Sequence, residues 1–429
     1  AATNIARIGA NYYTSLQNAV NAAGTGSTIY LLKNCSLDST LLIKNKNLTI
    51  CPDSSSITLS CNTDTWGVHI QNSKVTLSGN GNYTLSFDGK QKQTDSEGVI
   101  AISGNGSVVN LNSGLRIMNS LANGFVCNAG NTININSGFQ SFSNEKSGIV
   151  CAGVANIAGG NLYKNGQDGL TMLANDGAKL NVTDGNFYNN GRAGIAFGAI
   201  DATGKDIVCY ATLSKGKIYS NGIGLYLNTS NKNYWNVSNT GMSIYNNANT
   251  SSTQSVAGMG GGIHVNAKSV LTLSGGTIYS NSATGGGGGI YNAGTLTLNG
   301  TTIKNNSAGT GAGIHNTGTL TVSSGTLSGN TSSGHGGGIY NTNTLNMSGG
   351  YVTGNTSNAN GGGIYIASGK LNITGGYIQN NIASTYGGGL CIASGTVSAF
   401  KNASVTGNSA TLGGGMLTNI DTPLTSNTI

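Results

Sequence analysis

A Gly-rich turn followed by an apolar residue recurs at Gly262-Ile263, Gly289-Ile290, Gly313-Ile314, Gly338-Ile339, Gly363-Ile364, Gly389-Leu390 and Gly415-Met416, at spacings of 27, 24, 25, 25, 26 and 26 residues. A period of this length leaves few folds open, because each repeat is one small unit that hides its apolar face only by stacking on the next. Weaker copies run upstream through Gly67-Val68, Gly98-Val99, Gly124-Phe125, Gly148-Ile149, Gly169-Leu170, Gly194-Ile195 and Gly224-Leu225, giving 14 copies over most of the chain.

Each unit carries a second marker, an apolar residue followed three positions later by Asn. Examples are Leu162/Asn165, Phe187/Asn190, Ile244/Asn247, Ile278/Asn281, Ile303/Asn306, Val352/Asn355 and Ile378/Asn381. Between the markers lie alternating segments such as Thr295-Leu-Thr-Leu298, Thr319-Leu-Thr-Val322 and Leu371-Asn-Ile-Thr374. Alternation in pieces of four or five residues means short strands with one buried face.

Three such strands in about 25 residues predict an all-β fold, a right-handed parallel β-helix of about 14 coils. The 70 glycines among 429 residues then serve as corners, and the scarcity of proline (2 residues) follows because every coil is paired on both sides. The recurring Asn is expected to form an internal ladder, its amide donating and accepting between neighbouring coils. Residues 12–23 place Leu16, Val20 and Ala23 on one helical face. The chain is thus expected to open with a cap, a short helix plus first coil, over residues 1–50. The repeat domain is expected over 51–429, continuing into a longer protein. A helix laid on the first coil would cover an open strand edge.

Charge narrows the function classes. Residues 1–206 hold 13 Lys+Arg and 12 Asp+Glu, whereas residues 207–420 hold seven Lys and no carboxylate. Paired general acids and oxygen-rich cation cages both need carboxylates, so that second half supplies neither. Seven dispersed lysines do not make a nucleic-acid track. No apolar run is long enough to span a bilayer. The seven cysteines show no CxxC pairing, so neither a zinc site nor any cofactor is expected. Cys35, Cys51 and Cys61 are close enough in sequence for one bridge.

The residue beside each inward apolar one points out of the sheet. On the strand after the Gly turn these positions read Tyr226, His264, Tyr291, His315, Tyr340 and Tyr365; on the strand before the Asn they read Tyr163, Tyr188, Tyr219, Tyr245 and Tyr279, preceded by Phe142. Two readings stand side by side. Stacked tyrosines stabilise pleated surfaces, and exposed aromatic rows also offer rigid contact area for sugar rings or a protein partner. His264 and His315 lie two coils apart, too far to share a metal.

An enzymatic alternative rests on Glu145 and Lys146, Asp168, and Arg192, which occur in three successive coils at nearly equivalent positions, with Asp176, Asp184, Asp201 and Asp206 nearby. A base beside carboxylates would suit a polysaccharide lyase, and two carboxylates a glycoside hydrolase. Mixed charges in surface turns also form ordinary ion-paired rims. Insertions at 87–97, 197–206 and 248–259 break the period and offer binding loops. Trp235 reads equally well as core or as a surface anchor.

The markers Gly-Gly-x-Ile and Phe/Ile-x-x-Asn resemble the repeats of chlamydial polymorphic outer-membrane proteins and related β-helical adhesins. The opening Ala6-Arg-Ile-Gly-Ala, Leu16-Gln-Asn-Ala-Val20 and Thr28-Ile-Tyr-Leu-Leu-Lys33 is similar to cell-wall β-helix proteins of Gram-positive bacteria. The resemblance implies a secreted or cell-surface bacterial adhesin for glycans or host and matrix protein. A ligand-free stalk is a third expectation.

Overall fold

The computed structural model describes residues 3–94, 97–199, 206–228, 233–251 and 258–419. The chain divides into two compact units, Ala1–Ala211 and Thr212–Ile429, each a parallel β-solenoid.

In the first unit, the strand after each Gly turn stacks through Leu41–Lys44, Val68–Gln71, Gly98–Ser103, Asn123–Cys127, Ile149–Cys151, Asp168–Ala174 and Ala193–Ala199. The register aligns Leu41, Val68, Ile100, Phe125, Ile149, Leu170 and Ile195 in one buried column. A second column runs Ile29, Ile50, Leu77, Leu111, Ile135, Ile157 and Val182, and a third Leu59, Phe87, Ile117, Ser141, Leu162 and Phe187. The period-2 pattern of the sequence thus becomes three walls around one buried core.

The second unit repeats the scheme. Its first column is Leu225, Ile263, Ile290, Ile314, Ile339, Ile364, Leu390 and Met416, and its third is Ile218, Ile244, Ile278, Ile303, Leu327, Val352, Ile378 and Val405. Seven strands of the first wall in one unit and eight in the other agree with the predicted count of about 14, the additional strand being Leu41–Lys44, which lacks the Gly marker. The second unit adds a fourth ladder the sequence does not announce, through Ala248–Asn249, Ser282–Gly286, Ser307–Thr310, Thr331–Ser332, Thr356–Ser357 and Ile382–Ala383.

The marker glycine is required by close approach. A Cβ on Gly289 would sit 2.6 Å from the Gly313 carbonyl oxygen, and one on Gly313 would sit 2.5 Å from that of Gly338. At the other corner, the residue before each ladder Asn is left-handed, as at Asn246 (φ 53), Ser280 (φ 54), Asn305 (φ 55) and Asn380 (φ 56). Asn tolerates that conformation better than most residues.

The predicted ladder is present. In the second unit Asn221, Asn247, Asn281, Asn306, Asn330, Asn355, Asn381 and Asn408 are joined by Nδ2–H to Oδ1 bonds of 2.9–3.0 Å. The backbone N–H of each of the first seven donates to the same next Oδ1. Asn144, Asn165 and Asn190 do the same in the first unit. A second buried ladder, Asn292–Asn316–Asn341, joins at 2.7 and 2.6 Å.

The helix is shorter than expected. Leu16–Ala22 is helical with Ser15 as N-cap, whereas Tyr12 and Tyr13 belong to the strand Asn11–Tyr13, which pairs antiparallel with Ala6–Ile8. Gln17 donates to the Leu42 carbonyl and accepts from the Leu42 N–H, both at 2.9 Å, occupying outward backbone groups of strand Leu41–Lys44. Trp235 is fully buried, which settles it as core. Cys35, Cys51 and Cys61 are free thiols, as are the other four, so the bridge that their spacing allowed is not formed. Burial pushes the Cys61 thiol up to about 12 and Cys391 up to about 11, which leaves them unreactive near neutral pH.

Candidate functional site

The acidic constellation is built differently from its expectation. The backbone places Lys146, Gln167 and Arg192 in equivalent positions, since Gln167 N–H donates to the Lys146 carbonyl and Arg192 N–H to that of Gln167. Asp168 lies one residue further on, in register with Ala193 at the start of a wall strand. Its carboxylate is fully buried and receives Arg192 Nε (2.8 Å) and Nη2 (2.5 Å), the Thr171 hydroxyl (2.7 Å) and the Ala193 N–H (3.2 Å). Thr171 in turn bonds Ser147 at 2.9 Å. A bidentate guanidinium plus two further donors occupy the lone pairs that a general acid or nucleophile would need.

Glu145 is exposed and Lys146 half-buried. Asp176 follows the far end of strand Asp168–Ala174, and Asp184 sits at the bend within Lys179–Tyr188, so neither joins Asp168. Asp206 is exposed, and Asp201 lies outside the described residues. Of the three insertions, 87–97 tucks Gln93 into the interior, its Nε2 donating to the Thr63 carbonyl at 3.1 Å; much of 197–206 and 248–259 lies outside the described residues.

The first aromatic row is continuous but largely covered. Ring centroids from Tyr226 through His264, Tyr291, His315 and Tyr340 to Tyr365 are separated by 5.5, 4.8, 5.4, 4.6 and 5.5 Å. Tyr226 and His264 are 3% exposed and His315 9%, while Tyr291, Tyr340 and Tyr365 are half-buried. Of the six rings, only those of Tyr291, Tyr340 and Tyr365 reach solvent appreciably. The Gly-rich approach to each turn folds over the rings: the Met259 carbonyl meets His264 Nδ1 at 3.0 Å, the Thr310 hydroxyl meets His315 Nδ1 at 2.9 Å, and the His335 ring stacks on Tyr365 at 4.4 Å. Burial lowers His264 and holds His315 down at about 4, so His315 is neutral at pH 7. His264 Nδ1 faces the Met259 carbonyl and its Nε2 faces the Asn266 Oδ1 at 2.8 Å, both of them acceptors.

The second row is half-buried and stacked face to face. Phe142–Tyr163 and Tyr163–Tyr188 lie at 5.0 and 4.9 Å in the first unit; Tyr219–Tyr245 and Tyr245–Tyr279 lie at 5.1 and 4.8 Å in the second. Interplanar angles of 2–15° leave each ring face against its neighbour. Solvent meets edges and hydroxyls. Lys304 follows the row, its Nζ 5.9 Å from the Tyr279 ring.

Sequence reasoning missed one aromatic pair. Tyr351 and Tyr377 stack at 4.7 Å and 8° and are 44% and 45% exposed. They sit two residues before the Tyr279 register, in a column running Thr302, Thr326, Tyr351, Tyr377 and Ser404. The repeated Gly-Gly-Tyr at 349–351 and 375–377 is the signal that could have found them. Beside Tyr377 lies a recess of about 320 Å³. A smaller one, about 190 Å³, lies in the first unit between the N-terminal helix and residues 35–41.

Among the described residues, no three His, Cys, Asp or Glu side chains gather as a metal site, and no helix is long and apolar enough to cross a membrane. Compared with protein-family models, curated proteins and solved structures, the chain matches none.

Proposed function

We propose that the chain is a binding module of a secreted, surface-displayed bacterial protein, and that its solenoid walls engage glycans or a host-surface protein without transforming them. The observation that carries this reading is the state of Asp168. The best-placed carboxylate of the acidic constellation is fully buried and held by four hydrogen bonds from Arg192, Thr171 and Ala193, which gives it a structural role.

The outward surface supports the same reading. Residues 207–420 lack carboxylates, and the Tyr219–Tyr245–Tyr279 row offers ring edges and hydroxyls at intervals near 5 Å on a rigid wall. Such edges suit hydroxylated or amide-rich partners, because each phenol supplies both a donor and an acceptor at little entropic cost. The likeness of the Gly-Gly-x-Ile and Phe/Ile-x-x-Asn markers to β-helical adhesins, including their right-handed coil, points the same way.

The test is a glycan array run with a reducing-end assay on every hit. The reading expects retention without new reducing ends. New reducing ends that disappear in Asp168→Asn would replace it with the polysaccharide-enzyme reading, and no retention of any glycan or host protein would leave a stalk.

A further inference from the structure

Two thiols of the first unit meet across successive coils. Cys127 ends strand Asn123–Cys127 and Cys151 ends strand Ile149–Cys151, and the parallel register makes them direct partners. Neighbouring strands lie about 4.8 Å apart, and a disulfide spans Cα separations of about 4.4–6.8 Å. Both side chains point into the core, 1% and 0% exposed, in the column Ile70, Ile102, Cys127, Cys151, Met172 and Phe197. A hydrogen bond with Cys151, together with burial, raises the Cys127 thiol above its ordinary value. Cys35 and Cys61, by contrast, lie on paired strands two residues out of register, because Cys35 faces Leu59 and Leu37 faces Cys61.

From this register we infer that Cys127 and Cys151 form a disulfide between successive coils when the chain folds in the presence of an oxidising disulfide such as oxidised glutathione. The chemistry is two exchanges. The Cys127 thiolate attacks the donor disulfide, forming a mixed disulfide and releasing one thiolate; the Cys151 thiolate then attacks the Cys127 sulfur and releases the second. The two cysteine protons end on the two released thiols, so the donor takes up the two electrons that the protein gives. Timing follows from burial. Only a thiolate attacks, and in the folded unit both sulfurs are shut off from solvent with Cys127 held protonated. The exchange therefore belongs to folding, before the coil carrying Met172 closes over Cys151. Once made, the bridge is shielded from reductants by the same walls, and by closing the loop between the two residues it restricts the unfolded chain. The stability of the first unit thus records the redox conditions in which it folded, whatever its walls bind.

The experiment refolds the reduced full chain with reduced glutathione alone or with the oxidised and reduced forms together, and separately adds oxidised glutathione to the folded chain. Each sample is alkylated and digested with trypsin, which cuts after Arg116, Lys146 and Lys164 and so puts Cys127 and Cys151 on separate peptides, 117–146 and 147–164. The expected product is these two peptides linked, lighter than the free pair by two hydrogens, in most molecules refolded with the oxidised form and in few of those oxidised after folding. Amides of residues 128–150 should gain tenfold or more in hydrogen-exchange protection on bridging, and Cys151→Ala should show no such gain under the same refolding. Should the chain fail to refold, the same digest of chain exported to an oxidising periplasm reads the pairing. Alkylated or glutathione-capped peptides after oxidative folding, or either cysteine linked to a different one, overturn the pairing. Equal bridging by oxidant added to the folded chain overturns its link to folding.

Discussion

Replacing Asn306 by Ala removes four hydrogen bonds with one truncation. Its Oδ1 accepts from the Asn281 N–H (2.9 Å) and Asn281 Nδ2 (3.0 Å), and its Nδ2 donates to Asn330 Oδ1 (2.9 Å) and the Ile278 carbonyl (3.2 Å). The losses are unequal. Asn330 Oδ1 keeps the Asn306 backbone N–H, and Asn281 Nδ2 keeps the Ile244 carbonyl. The buried Asn281 N–H loses its acceptor outright. One orphaned buried donor costs about 1–3 kcal/mol, and the small void left by the amide adds about 1 kcal/mol, so about 2–4 kcal/mol is expected. Stacked repeats unfold with nearest-neighbour coupling rather than strictly as two states, so the assay is native-state hydrogen exchange read at individual amides. Protection should fall most at Asn281 and in the two adjoining coils. A loss below about 0.5 kcal/mol, or one spread evenly over the chain, would refute the ladder as the source of corner stability.

Three further outcomes follow from buried groups. His315 has a folded value of about 4 against 6.5 unfolded, so the unfolded chain binds more protons between them, and stability present above pH 6.5 is lost as pH falls towards 4. That gap, at roughly 1.36 kcal/mol per pH unit, amounts to about 3 kcal/mol. In His315→Phe, which keeps a ring in the stack, the fall in denaturant stability between pH 7.5 and 4.5 should shrink by about 2 kcal/mol; an unchanged fall would sink the assignment. A Cβ at position 286 would lie 2.3 Å from His315 Nδ1, so Gly286→Ala should destabilise by about 1–3 kcal/mol and broaden the His315 ring resonances, whereas wild-type behaviour would mean that the approach of the fourth ladder is looser than described. Asp168→Ala removes the acceptor shared by the Arg192 guanidinium, the Thr171 hydroxyl and the Ala193 N–H at a cost of about 3–5 kcal/mol, with the proposed ligand binding unchanged; loss of binding without loss of stability would contradict its structural role.

Much of the fold was legible because a solenoid writes its geometry locally. Ile278 and Asn281, or Gly289 and Ile290, state the strand, the corner and the inward face of one coil, and the period copies them. The burial of His264 and His315 was not legible. Alternation tells which side of a strand faces the core, but Ser282–Gly286 and Ser307–Thr310 have no apolar pattern to reveal that they lie across the other side. Small residues are what allow that approach, and small residues read as loop. Asp168 looked available because it sits beside Lys146 and Arg192 in sequence register. Only the one-residue offset that starts a strand at Asp168 brings Arg192 back onto it. Tyr351 and Tyr377 escaped notice because their column holds Thr302, Thr326 and Ser404 in neighbouring coils, and a pair makes no stripe.

The most direct test of a binding module without catalysis is a single experiment on the intact protein: immobilised glycans that retain it are recovered after prolonged incubation and assayed for chain length and new reducing or unsaturated ends. The account predicts retention with every glycan recovered intact, for wild type and Asp168→Asn alike. Shortened or unsaturated products from wild type, abolished in Asp168→Asn, would contradict it.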